Sequence, residues 1–284
     1  MSELVDVGGY RLAVSVSGSG PPPVVFLSGV TGDQREWGGV QAAMSAPVTQ
    51  IAYARPALGG SEPLPPGLAA EHAAGWAAGQ LRTLLRRLAV PGPYVLASHS
   101  VAGLIAEAYA ARWPADTAGL VLVDPSHPDF GGADDVLVDH EPGGIRFSMA
   151  ASRAERASFP APPAIPVVVV SGAVGRWLEV TEPEYLAGLS PAEADERWQG
   201  LQRDWVARTR AAHVIAHKAG HSVHDEAPRL VAYLIDQVVA AARDGHGLVL
   251  DPTVVDTVGG FVATVVNPGL APTSETPGAD AAAR

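Results

Sequence analysis

With 284 residues, 47% of them hydrophobic and 17% charged, the chain is long and apolar enough to bury a large core, which excludes disorder as its main state. Lys and Arg number 19 against 30 Asp and Glu, a net charge of −11 that disfavours nucleic acid and anionic membrane as partners. With no cysteine, disulfides, Cys-ligated zinc, iron–sulfur clusters and thiolate nucleophiles all drop out, so any covalent chemistry must use another atom.

Taken in chain order, Glu3 and Asp6 stand where a secretory signal would carry basic residues and then an apolar core. The apolar stretch LVAYLIDQVVAA is interrupted by Asp236 and Gln237, so a cytoplasmic protein without a membrane span is expected. Strands are predicted at Arg11–Val16, Val24–Ser28, Gln50–Ala54, Tyr94–Ser98, Gly119–Asp124, Val167–Ser171 and His213–Ala216, mostly as continuous apolar runs. Helical stretches separate them. Leu81, Leu84, Leu85 and Leu88 form one stripe with Arg82, Arg86 and Arg87 turned away, and Ser190-Pro191-Ala192-Glu193 reads as a capping box before Trp198, Leu201 and Trp205. Leu230, Val231, Leu234, Ile235, Val238 and Val239 form a third stripe. This alternation defines an α/β fold with a mostly parallel central sheet flanked by helices.

Two segments break the rhythm. Ser126–Pro163 is too long for an ordinary connection and reads as an inserted cap or lid, which divides the core into 1–125 and 164–243. Residues 244–284 form a C-terminal extension, β-prone and apolar over Leu248–Val266, with the composition of a disordered end over Pro268–Arg284.

The strongest chemical signal is YVLASHSVAG (Tyr94–Gly103), a buried-type strand that runs through a tight turn into the helical stretch LIAEAYAARW. Small residues at Ser98 and Ala102, two places either side of Ser100, suit a strained elbow that lifts the Ser100 hydroxyl above the sheet. The helix N-terminus there favours developing negative charge. A buried Ser capping a helix is the bland alternative.

These residues resemble the nucleophile elbow of the α/β-hydrolase superfamily, with Ser98 in place of the usual outer Gly, and the resemblance extends from about Leu12 to Ala241. VVFLSGVTG (Val24–Gly32) is similar to the family's strand and His-Gly oxyanion turn, with Ser28 replacing the His and Gly29 retained. The resemblance implies an oxyanion hole built from the backbone N–H groups of Val30 and Val101. IAYARPALGGSEP (Ile51–Pro63) resembles the family's Tyr-Asp-Arg-Pro-Gly-x-Gly-x-Ser segment and supports the fold more than the chemistry.

AGHSVHDEAPRL places His221 where the family has its catalytic His. His213, His217, His221 and His224 together raise the question of a metal, but no carboxylate or Cys pattern completes a ligand spacing, and no metal or cofactor is expected. The family's usual acid position, after PVVVV, holds SGAVGRWLEV with no carboxylate before Glu179. Asp124, at the end of the preceding strand, occupies an alternative acid position known within the family and is expected to orient His221, with Glu179, Glu182 and Asp129 in reserve; a turn-capping role is its alternative.

The resemblance therefore implies a Ser100-His221-Asp124 serine hydrolase acting through an acyl-enzyme on an ester, lactone, thioester or amide of a small, largely apolar molecule. Ser28, Gly29, Phe130, Phe147, Met149 and Phe159 are the candidate pocket residues. A serine at the nucleophile position disfavours the epoxide-hydrolase and haloalkane-dehalogenase relatives, which attack through Asp. Two readings stay open beside the hydrolase: a lyase or isomerase that uses His221 as a proton shuttle, and a small-molecule sensor that binds without turnover.

Overall fold

The computed structural model describes residues 2–68, 71–131, 138–140, 145–160, 163–182 and 185–264. Parts of the expected cap, at 132–137, 141–144 and 161–162, and the tail from residue 265 onward lie outside these residues.

Twelve strands are described: β1 (Glu3–Asp6), β2 (Arg11–Gly18), β3 (Val24–Leu27), β4 (Thr49–Tyr53), β5 (Glu71–His72), β6 (Tyr94–His99), β7 (Thr117–Val123), β8 (Val138–His140), β9 (Arg146–Ser148), β10 (Val167–Ser171), β11 (Ala212–Ala216) and β12 (Gly260–Thr264). The helices are α1 (Gly38–Ala43), α2 (Ala74–Leu88), α3 (Ala102–Arg112), α4 (Met149–Ser158), α5 (Pro191–Thr209), α6 (Val223–Glu226), α7 (Pro228–Asp244) and α8 (Pro252–Val258).

Nine strands form one sheet in the order β1-β2-β4-β3-β6-β7-β10-β11-β12. Its centre, from β4 to β11, is parallel, and β1, β2 and β12 are antiparallel additions at the two edges. The central strands are continuous apolar runs because both faces are covered. Along β3, Val25 and Leu27 join the core under α2 and α3, while Val24 and Phe26 join the opposite core under α1 and α7. The period-2 alternation of strand side chains makes that division.

Local sequence explains the helices. On α2, Leu81, Leu84 and Leu85 are buried as their spacing predicts. Ser190 and Glu193 form the expected capping box of α5. On α7, all six residues of the predicted stripe are buried, with Pro228 in the first turn and Gly245 at the left-handed C-cap.

Among the described residues of Leu248–Val266, read as β-prone, strand is found only at β12. Residues 252–258 are helix α8, started by Asp251, whose carboxylate accepts from the N–H groups of Thr253 and Val254, and by Pro252 at N1. Cap chemistry outweighs the β-propensity of Val254 and Val255 there. Within 126–163 the described residues form strands β8 and β9 and helix α4, and β9 pairs with β5 in a small sheet of order β5-β9-β8. Among the described residues, no helix is long and apolar enough to cross a membrane.

Candidate active site

The carboxyl ends of β6 and β7 and the loop after β11 converge. Ser100 follows β6 directly at φ +56°, a backbone region that non-glycine residues seldom occupy, and its strain is held by Ser100 N–H donating to Val123 O at 3.1 Å and by Gly103 and Ser126 N–H donating to Ser100 O. Ser98 and Ala102, the small residues flanking the elbow, are fully buried. Gly103 is needed for a close approach, since a Cβ there would lie 2.6 Å from Pro125 Cβ. Asp124, also at positive φ (+40°), extends the sheet ladder by donating its N–H to Val170 O at 2.7 Å.

His221 lies in the loop between β11 and α6, with Nε2 2.9 Å from Ser100 Oγ and Nδ1 2.7 Å from Asp124 Oδ2. An ionised carboxylate only accepts, so Nδ1–H donates to Asp124 and Nε2 is left to accept from the Ser100 hydroxyl. Ser126 Oγ stands 3.0 Å from Ser100 Oγ. The His221 carbonyl lies 3.0 Å from His99 Nε2 and accepts its N–H, which ties the His221 loop to the residue before Ser100.

Asp124 is completely buried and has four donors: Gly172 N–H and Trp198 Nε1–H at 3.0 Å on Oδ1, and the Arg176 guanidinium at 2.8 Å and His221 on Oδ2. Burial alone would push this carboxyl up, but the Arg176 charge and the His221 hydrogen bond outweigh it and hold the group at about 2. His99 is driven well below the usual imidazole range, by burial first and then by the neighbouring His221 and His224.

The oxyanion turn follows β3. Gly29 leaves no room for a side chain, since a Cβ there would sit 2.7 Å from His99 Nδ1 and 3.1 Å from Ser100 Cβ. The buried Arg55 braces the turn by donating to the carbonyls of Ser28 and Gly29, each at 2.5 Å. The backbone N–H groups of Val30 and Val101 make no hydrogen bond among the described residues, and Val101 stands at the start of α3.

Above Ser100 and His221 lies a cavity of about 630 Å³, whose lining includes Val30, Phe130, Met149, Trp177, Trp198 and Tyr185. Of the candidate pocket residues, Phe130 and Met149 line it, whereas Ser28 and Gly29 do not, although the adjacent Val30 does. Ser28 is buried, with its hydroxyl bonded to Asp33 O at 2.8 Å. Phe147 and Phe159 do not line it. Phe147 is 1% exposed in the core, its ring 5.6 Å from the Arg55 guanidinium, because alternation along β9 turns it inward. Phe159 caps the far end of α4 and borders a separate void of about 30 Å³.

Sequence reasoning missed the opposite wall. Trp177, Val180, Tyr185 and Trp198 come from the connection between β10 and β11, where the sequence pattern points to a capped helix and to no pocket. Arg176-Trp177, directly after the vacant acid position, was the available signal. Among the reserve acids, Glu179 is exposed, Asp129 pairs with Arg153, and Glu182 lines the cavity away from the His221 imidazole's bonds. The histidines weighed as metal ligands separate: His213 bonds Ser171 Oγ and His217 pairs with Asp256. A different trio, Glu36, His99 and His224, has ligand-type atoms within 4.8 Å of one another.

Strand order, elbow and site geometry together describe an α/β-hydrolase. The chain belongs to the alpha/beta hydrolase family, whose model matches residues 24–255. No curated protein matches the sequence significantly. Among solved structures, the chain is similar to a putative lipase from Acinetobacter baumannii, with 16% identity, a TM-score of 0.59 and coverage of 87% of this chain and 93% of that one. It is also similar to a putative aryl esterase from Burkholderia cenocepacia (18% identity, TM-score 0.57, coverage 86% and 100%). A proline iminopeptidase-related protein from Thermus thermophilus matches at 17% identity and TM-score 0.59, with coverage of 85% and 98%. At these identities the likeness is one of fold.

Proposed function

We propose that the protein is a serine hydrolase that cleaves an ester, lactone, thioester or amide of a small, largely apolar molecule in the cytoplasm. The observation that carries this reading is the unbroken hydrogen-bonded chain from Ser100 Oγ through His221 to Asp124, open to a cavity walled by Trp177, Trp198, Phe130 and Met149. Neutral His221 takes the Ser100 proton as Oγ attacks the carbonyl carbon. The oxyanion that forms accepts from the Val30 and Val101 N–H groups, and the N-terminus of α3 adds favourable potential. As the tetrahedral species collapses, His221 gives its proton to the leaving alcohol, thiol or amine, and the acyl group stays on Ser100. Water, deprotonated by His221, then attacks the acyl carbon, and as the second tetrahedral species collapses the bond to Ser100 Oγ breaks, His221 returns the proton to that oxygen and the acid leaves. Asp124 remains ionised throughout, holding the imidazole tautomer and stabilising the imidazolium.

A series of nitrophenyl esters of increasing acyl length tests the proposal, with release of the acid and the acyl adduct on Ser100 followed by mass spectrometry. Acid release with an adduct on Ser100 supports it. Saturable binding of such esters without acid release points to a sensor, and conversion without any acyl adduct points to proton-shuttle chemistry; either result overturns the hydrolase.

A further inference from the structure

The loop after β10, the family's usual place for the acid, carries a cation here. Arg176 comes five residues after the end of that strand, is nearly buried, and reaches sideways to the carboxylate that ends the neighbouring strand, β7. Its guanidinium carbon lies 4.6 Å from the Trp177 ring and 4.7 Å from the Trp198 ring, so two indole faces clamp the plane of the cation. Trp198 in turn donates to the other oxygen of the same carboxylate. Gly172 N–H, from the same loop as Arg176, completes the set.

We propose that Arg176 is a positioning residue for the serine hydrolase reaction: it supplies the buried counter-charge that lets Asp124 stay ionised while His221 stays neutral. The inference rests on the hydrolase reading. Without Arg176, a fully buried carboxylate would face a neutral imidazole with no cation in contact. The pair would then relieve the excess negative charge by taking up a proton, and His221 is where the proton would go. A protonated His221 cannot accept from Ser100. Arg176 therefore keeps the base competent at lower pH, and its planar fork between two indoles also fixes where Asp124 Oδ2 stands.

Other groups face this pair and bear on the expected shift. His99 on β6 packs against the His221 ring and His224 on α6 packs against His99, with Glu36 3.8 Å from His224 Nε2. From the β11 and α5 sides come His213, which senses both Asp124 and Arg203, and Arg203 itself. Only Arg176 and His221 bring an ionisable side chain into contact with the Asp124 carboxylate among the described residues.

The test is the pH titration of the His221 ring, followed by NMR of histidine-labelled protein and assigned by the signal lost in His221→Gln, in wild type, Arg176→Gln and Arg176→Lys. Removing an opposite charge at this range shifts a titration by about one pH unit or more. The His221 midpoint is expected to rise by that amount in Arg176→Gln and to stay near wild type in Arg176→Lys. The acid limb of kcat/KM should move with it. If Arg176 serves only as packing between the indoles, both variants lower kcat while the midpoint stays fixed, which overturns the proposal. If Arg176→Gln does not fold, the double variant Asp124→Asn/Arg176→Gln decides: removing both charges should restore folding, and a double variant as unstable as the single one overturns the proposal. A shifted His221 titration in a protein that releases no acid from esters would uphold the role of Arg176 in the pair and overturn the hydrolase. An unshifted titration beside normal ester turnover would do the reverse.

Discussion

The indole N–H of Trp198 donates to Asp124 Oδ1 at 3.0 Å, joining helix α5 to the end of β7. One residue thus both walls the cavity and orients the carboxylate beneath His221. Trp198→Phe keeps most of the ring and removes the donor, leaving a fully buried carboxylate one hydrogen bond short. The expected result is a loss of about 1–3 kcal/mol in stability, read by denaturant unfolding, with a lower kcat. Unchanged stability and kcat would show that Gly172 alone suffices to hold that oxygen.

Asp124→Asn should lower turnover by about 10⁴, since the imidazole then takes the wrong tautomer and loses its charge partner. It also leaves the Arg176 cation buried without its carboxylate, and breaking such a pair from one side costs about 3–5 kcal/mol. Rates are therefore compared on protein shown to be folded by circular dichroism. A decrease under tenfold in folded protein would remove Asp124 from the mechanism.

Gly29→Ala tests the oxyanion turn. The added methyl would press on His99 and on Ser100 Cβ, both held by backbone-anchored contacts, so the turn carrying the Val30 N–H must move. Loss of one oxyanion donor lowers kcat by about 10²–10³, and here the fold should survive, with KM for a short ester much less affected. Full activity would place the oxyanion donors elsewhere.

Stability should fall on mild acidification through His213, whose pKa burial, followed by the Arg203 charge, lowers to about 4. A histidine with a depressed folded-state value favours the folded state fully above its unfolded value of about 6.5, and that stability is lost as pH falls toward 4. Its share is about 3 kcal/mol. Asp124, held at about 2, acts lower: its stabilisation is present above about 4 and is lost as pH falls to about 2. In His213→Gln, whose amide can still meet the Ser171 hydroxyl, the decline in unfolding free energy between pH 6.5 and 4 should flatten. An unchanged slope would assign that decline to other groups.

Much of the central architecture was legible because parallel strands buried on both faces read as apolar runs and the helices carry single stripes. β3, β6 and β10 fall within a residue of their expected ends for that reason. The edge strand β1 escaped because it packs on one side and carries exposed residues such as Leu4, and β12, with Phe261 exposed, was legible only as part of the longer β-prone stretch Leu248–Val266. Ser100, His221 and Asp124, which the structure brings within hydrogen-bond reach of one another, were singled out from local turns, strand ends and family likeness. Arg176, Trp177, Trp198 and Arg55 were not, because each acts on a group far away in sequence. Arg176 and Asp124 are joined only by the parallel pairing of β7 with β10, and Arg55 and Gly29 only by the β3–β4 pairing. Phe147 and Phe159 failed as pocket residues because aromatic character does not tell which face of a short strand or helix end a ring occupies.

The most direct measurement of the central claim is the rate and site of covalent labelling by a fluorophosphonate, with the modified peptide sequenced by mass spectrometry, in wild type, Ser100→Ala and His221→Gln. The account predicts a single adduct on Ser100 in wild type, none in Ser100→Ala, and labelling of His221→Gln slowed by several orders of magnitude. An adduct formed at the wild-type rate in Ser100→Ala, or on Ser98 or Ser126, would contradict it.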